Sequence, residues 1–219
     1  MRQSHTPLDT LAELATEHPA ASRVFQRYGL DFCCKGLRSL DSACAERGLD
    51  PQAILAEIES APSPGRPTDE SSEQLVARLV EHYHRRLREE LPQLVSMASK
   101  VERVHSKRAA CPAGLAEQLT RMQEELLFHM AKEEKVLFPL ILSGRGGLHG
   151  PVQVMEAEHR DHAANLERLR ELAHDFVAPP EACATWRALY LRLEDFEREL
   201  MEHVHLENHV LFPRALGGE

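Results

Sequence analysis

At 219 residues, 42% of them hydrophobic but only 5% aromatic, the chain can bury a substantial core, and its abundance of Ala, Leu, Glu and Arg favours helix over a turn-rich β architecture. A formal charge of −9 argues against nucleic acid, which needs a concentrated basic face; the densest basic cluster, Arg85, Arg86 and Arg88, is flanked by Glu81, Glu89 and Glu90. No stretch approaches the roughly 18 apolar residues of a membrane span, the start MRQSHTPLDT lacks the apolar run of a secretory signal, and an odd cysteine count argues against a disulfide scaffold, so a cytoplasmic protein without membrane contact is expected.

Residues 1–60 are predicted to form a small helical domain. Thr6-Pro7 and His18-Pro19 put proline at first helical positions, Gly29 ends the second helix, and Asp50-Pro51 opens another over Gln52 to Ile58. Sixty residues give a thin core, so this domain should lean on a further surface. The non-periodic stretch from Gly29 to Gly36 contains Cys33-Cys34. Adjacent cysteines rarely pair with each other, because the ring is strained. The pair reads either as two incidental small residues or as a redox-active, iron- or NO-binding dithiol whose thiolates Lys35 would favour. Cys44, Cys111 and Cys183 stand alone and read as packing residues. Residues 61–72, APSPGRPTDESS, read as a linker.

Residues 73–219 carry four longer helical patterns. The first seam runs Ala77, Val80, His84, Leu87, Leu91, Leu94, with Pro92 as a kink site. The second runs Leu115, Leu119, Met122, Leu126, His129, Glu133, Val136. The third runs Val152, Met155, His159, His162, Leu166, Leu169, and the fourth runs Trp186, Leu189, Leu193, Phe196, Leu200, His203, Glu207, Val210. Steps of three and four keep these residues on one face, the seam that the helices of a four-helix bundle turn inward. Each helix thus aims at least one histidine at the core, and two also aim a glutamate there. Unpaired buried carboxylates cost several kcal/mol, so such a layer needs partners or a metal.

The spacing points to metal. Residues i and i+4 lie about 5–6 Å apart on one helix face, so His129 with Glu133, and His203 with Glu207, each address one site. HMAKEEKVLFP (129–139) and HVHLENHVLFP (203–213) share H-x3-E-x2-V-L-F-P, and His84 and His159 precede them at matching distances. The bundle reads as two copies of a helix pair, with Pro139 and Pro213 closing the second and fourth helices. Six inward ligands, His84, His129, Glu133, His159, His203 and Glu207, suit two metals bridged by the glutamates, and mixed N/O ligation with positions left open fits iron better than structural zinc. His162 is assigned to packing or to support of a ligand, His82, His205 and His209 to the surface, and His105 to a loop. Glu125 and Glu158 adjoin the ligand turns, where they either hold imidazole N–H groups or stay solvated.

Together DFCCKG (31–36), YHRRLREELP around His84, VERVH (101–105), EELLFHMAKEEKVLFP, GPVQVMEAEH ending at His159, PPEAC (179–183) and HVHLENHVLFPRALGGE resemble the repair-of-iron-centres (RIC) family over nearly the whole chain. The resemblance implies an all-α protein: a small N-terminal Cys-Cys domain of the ScdA type ahead of a hemerythrin-like four-helix bundle. It implies two non-haem iron ions, oxo- and carboxylate-bridged, on the same six ligands. It also implies a stress-response role in restoring iron–sulfur clusters damaged by nitric oxide or peroxide, with damaged iron–sulfur proteins as partners, NO and O₂ as small ligands, and Cys33 and Cys34 in redox or iron transfer. Related chains often have glycine where this one has Lys35. An enzyme that reduces NO at the metal pair, and an O₂ or NO carrier or sensor, are the competing classes. Client proteins, electron donor and oligomeric state, a homodimer included, stay open.

Overall fold

The computed structural model describes residues 5–61, 69–144 and 146–217; most of the expected linker, residues 62–68, lies outside the described residues. Among the described residues there are helices and one isolated antiparallel bridge, Thr10 to Ser39, but no strand, in keeping with the all-α expectation. Two compact units emerge: residues 1–77 with 201–219, and residues 78–200.

In the first unit α1 (Leu11–Glu17) begins at a capping box: the Glu13 N–H donates to Thr10 Oγ1 at 3.1 Å while the Thr10 N–H donates to Glu13 Oε2 at 2.8 Å. Pro7 and Pro19 fall in the turns before α1 and α2 (Ala21–Arg27) rather than at first helical positions. Gly29, at φ +65°, takes the left-handed conformation that ends α2. After α3 (Leu40–Ala45), Asp50 caps α4 (Pro51–Ser60) through the Gln52 N–H at 2.9 Å, with Pro51 in the first turn as the sequence predicts. Leu11, Leu14, Phe25, Phe32, Leu40, Ile54 and Ile58 build the core, and Met201 packs against it. The further surface that this thin domain needs is the C-terminal stretch: Ser22 Oγ donates to Glu202 at 2.6 Å, and Thr16 Oγ1 lies 3.1 Å from His205 Nε2.

The second unit is a helix bundle. A π-helical turn, Leu79–His84, follows α5 (Ser72–Arg78) and leads into α6 (Arg85–His105), which packs on α7 (Leu115–Lys132); α7 packs in turn on α9 (His149–Leu172). The fourth member is α10 (Ala184–Leu206), whose part up to Leu200 meets α6 through Arg192–Glu90 and Arg86–Glu199, and α9 through Arg170–Glu197. His105 is not a loop residue. It ends α6 buried, its ring 5.0 Å from Trp186 and its Nε2 3.3 Å from Cys183 Sγ, and Cys183 is exposed rather than packed.

Pro139 and Pro213 do not end their helices. Each lies in the first turn of a continuation, α8 (Phe138–Leu142) and α11 (Phe212–Ala215), reached through π-helical turns at Glu133–Leu137 and Glu207–Leu211. Proline has no N–H for the i→i−4 ladder; the wider turn absorbs the mismatch, with Phe138 N–H donating to the Glu133 carbonyl and Phe212 N–H to that of Glu207. Every π-turn adds a residue and rotates the seam. Val136 is therefore 52% exposed while Leu137 is buried, and Leu75 and Leu79 are buried where the sequence pattern placed Ala77 and Val80.

Candidate metal centre

In the bundle unit, His84 closes the first π-turn and Glu133 opens the second, so both side chains are fixed where the backbone departs from regular helix. His84, His129, Glu133 and His159 are all buried. The His84 Nδ1–H donates to Glu134 Oε1 at 2.7 Å, and the His129 Nδ1–H donates to Glu158 Oε2 at 2.9 Å. These bonds fix both tautomers with the proton outward, leaving each Nε2 lone pair inward. His84 Nε2 lies 3.4 Å from Glu133 Oε2, and His129 Nε2 lies 3.2 Å from Glu133 Oε1 and 3.2 Å from His159 Nε2. Nitrogen lone pairs and a carboxylate converging in a dry interior repel one another unless protons or a cation lie among them. The donor set, imidazole and carboxylate, fits iron.

The outer carboxylates are themselves anchored. Arg88 holds Glu134 at 2.8 Å and Lys132 pairs with Glu158. Burial works to raise both carboxyls, but the hydrogen bonds from His84 and Arg88, and from Lys132 and His129, outweigh it and leave both below the usual range. Of the two glutamates considered from sequence, Glu158 thus holds an imidazole, whereas Glu125 accepts from Asn165 Nδ2 at 2.6 Å. Glu134 was not among the sequence candidates; nothing in the spacing marks it, because its partner is 50 residues away. His162 is buried with its ring 4.8 Å from that of His129, which fits the packing or supporting role expected of it.

On the last helix His203 and Glu207 are fully buried one turn apart, His203 Nε2 lying 3.0 Å from Glu207 Oε1. Within the bundle unit, Glu133 turns one oxygen toward His84 Nε2 and the other toward His129 Nε2.

The Cys-Cys loop belongs to the first unit. Cys33 is buried and Cys34 half-buried, not joined as a disulfide, with their sulfurs 3.7 Å apart. The bond to Cys34, burial and the Asp31 carboxylate push the Cys33 thiol well above its ordinary range, so the thiolate-favouring effect expected of exposed Lys35 is not found at Cys33. His205 and His209 are not surface residues. His205 is buried, with its ring 5.4 Å from Phe32, and burial with the neighbouring His209 pushes it down to about 3. The His209 Nε2–H and the Asn208 amide both donate to the Cys33 carbonyl, at 3.0 and 3.1 Å.

Residues 75–215 match the model of the hemerythrin HHE cation binding domain, and residues 8–62 match ScdA_N, a domain of unknown function (DUF542). A protein named iron-sulfur cluster repair protein YtfE from Edwardsiella ictaluri is 48% identical over 212 residues, covering 94% of this chain and 96% of the relative. Proteins of the same name from Dickeya chrysanthemi and Pectobacterium carotovorum are 44% and 46% identical, each over 96% of this chain and 97% of the relative. Among the described residues no helix is long and apolar enough to cross a membrane.

Proposed function

Since the chain belongs to the hemerythrin HHE cation-binding family, with a ScdA_N domain ahead of the hemerythrin domain, we propose that it is a di-iron protein that repairs iron–sulfur clusters damaged by nitric oxide or peroxide, supplying iron to them. The observation that carries this reading is buried Glu133, whose two oxygens face two different imidazole nitrogens, as a carboxylate shared between two ions would. His84, His129, His159 and His203 are the proposed nitrogen ligands. Similarity over almost the full length to proteins named for iron–sulfur cluster repair supports the role itself.

Iron held by these residues would supply ferrous ions for transfer and could bind NO or O₂. The chain's residues hold it in readiness. Glu134 and Glu158 fix the tautomers of His84 and His129, and Arg88 and Lys132 keep those carboxylates ionised and in place. Imidazoles and shared carboxylates grip iron less tightly than a closed thiolate cage, which suits a donor. Residues 1–60, joined through 61–72 to the bundle of 73–219, are proposed to bring Cys33 and Cys34 to the transfer step, with damaged iron–sulfur proteins as partners in the cytoplasm.

The test is recovery of a ferredoxin whose cluster has been degraded by NO, followed by its visible absorption, with iron-loaded chain as the only iron source. Recovery with the parent and none with Glu133→Leu is expected. Catalytic consumption of NO over many turnovers, without recovery of the cluster, would replace this reading with that of an NO-reducing enzyme. Equal rates for the parent and the Cys33→Ser/Cys34→Ser variant would remove the dithiol from it.

A further inference from the structure

The dithiol loop holds more than two cysteines. We propose that Asp31, Cys33 and Cys34 form a second metal site, a two-sulfur, one-oxygen clamp for a thiophilic divalent cation, built from none of the helix ligands. One atom from each of the three side chains lies within 4.8 Å of the others. The sulfurs are 3.7 Å apart, and Asp31 Oδ1 is 3.3 Å from Cys33 Sγ. Two thiolates on a tetrahedral ion, each with a metal–sulfur bond of about 2.3 Å, lie about 3.8 Å apart, and a sulfur and a carboxylate oxygen on such an ion lie about 3.6 Å apart. Those two distances lie within a few tenths of an ångström of the bound ones, and the third is under 4.8 Å. A disulfide would need the sulfurs at about 2.05 Å, and between adjacent residues it is strained.

The loop is also held rigid. Asp31 Oδ1 accepts the Cys34 N–H at 2.9 Å, and the Cys33 carbonyl takes the two donors from Asn208 and His209. Gly36 closes the turn so tightly that a Cβ there would lie 2.3 Å from the Phe32 carbonyl oxygen and 2.7 Å from His209 Nε2. Cys33 is 3% exposed, whereas Cys34 and Asp31 are half-buried, so solvent reaches the loop at those two side chains. Two sulfurs select against magnesium and calcium, which demand oxygen, and favour zinc-like or ferrous ions. On binding, each thiol exchanges its S–H bond for an S–metal bond and releases its proton to water; no electron moves. Taking the ion as ferrous iron in transit rests on the repair reading above; the site itself does not.

Anaerobic titration of the full chain with cobalt(II) tests the site, because sulfur ligation gives a near-ultraviolet charge-transfer absorption that imidazole and carboxylate ligands do not. One sulfur-ligated cobalt per chain is expected, abolished in Cys33→Ser and Cys34→Ser and untouched in Cys183→Ser. Asp31→Asn keeps the acceptor for the Cys34 N–H but should weaken cobalt binding at least about tenfold. On the unaltered chain, a trivalent arsenical that bridges neighbouring thiols should block the absorption, so the result stands even where a serine variant folds poorly. Absence of the absorption, its survival in Cys33→Ser/Cys34→Ser or under the arsenical, or unchanged affinity in Asp31→Asn overturns the proposal. Cluster recovery is read separately, so failure of the repair role and failure of this site are told apart.

Discussion

Glu133→Leu separates metal ligation from a purely structural role for the buried carboxylate. Glu133 is fully buried, with its oxygens 3.2 Å from His129 Nε2 and 3.4 Å from His84 Nε2. In the metal-free chain the substitution replaces a desolvated carboxylate with an apolar side chain of similar volume, a change that is neutral or stabilising by about 1–4 kcal/mol. Chains of this size shift in melting temperature by about 2–4 °C per kcal/mol, so the metal-free variant should melt level with the parent or up to about 16 °C above it. Ferrous iron reverses the order. An ion at about 1,000 times its Kd stabilises the parent by about 4.1 kcal/mol, and the variant forfeits most of that. Anaerobic calorimetry of both proteins, with a chelator and with iron, reads the crossing directly. A variant that melts well below the parent in chelator, beside a parent indifferent to iron, would refute the reasoning, because the carboxylate would then be one member of a metal-independent polar network.

Three further substitutions, two of them with controls, probe the surroundings. Glu158→Gln gives up the charged acceptor of the His129 Nδ1–H and should cost about 10–100-fold in iron affinity by chelator competition, with the fold intact, while Glu125→Gln changes nothing. Gly36→Ala forces atoms apart in the Cys loop and should destabilise by about 1–3 kcal/mol in a thermal melt, whereas Gly150→Ala, in open space at the start of α9, is neutral or stabilising by up to about 1 kcal/mol. Arg170→Met removes the guanidinium bound to both oxygens of the buried Glu197 carboxylate and releases the left-handed turn His174–Asp175–Phe176, on whose Phe176 ring the guanidinium rests. A loss of about 3 kcal/mol is expected by chemical denaturation.

Much of this was legible in the sequence because helical periodicity is local. All six seam positions of α9, from Val152 to Leu169, are buried as the three-and-four alternation predicts, and the doubled H-x3-E motif led to Glu133 and Glu207. The errors of seam register share one physical source, since a period of 3.6 cannot register the extra residue of a π-turn. That extra residue carries Val136 to the surface and takes the chain through Pro139 and Pro213 without ending the helix. Glu134 and His209 were missed for a different reason. Their roles depend on partners 50 and 176 residues away, which no local pattern encodes. Of the two readings of Cys33, the one in which Lys35 favours its thiolate does not hold, because the bond to Cys34, burial and Asp31 all raise its thiol.

Ferrous iron titrated anaerobically into chelator-treated full chain, with bound metal counted and Mössbauer spectra recorded, addresses the helix ligands most directly. Two ions per chain in nitrogen- and oxygen-rich environments, with both lost from Glu133→Leu/Glu207→Leu, are predicted. A folded chain that takes up no iron there, or a double variant that takes up as much as the parent, would contradict the account.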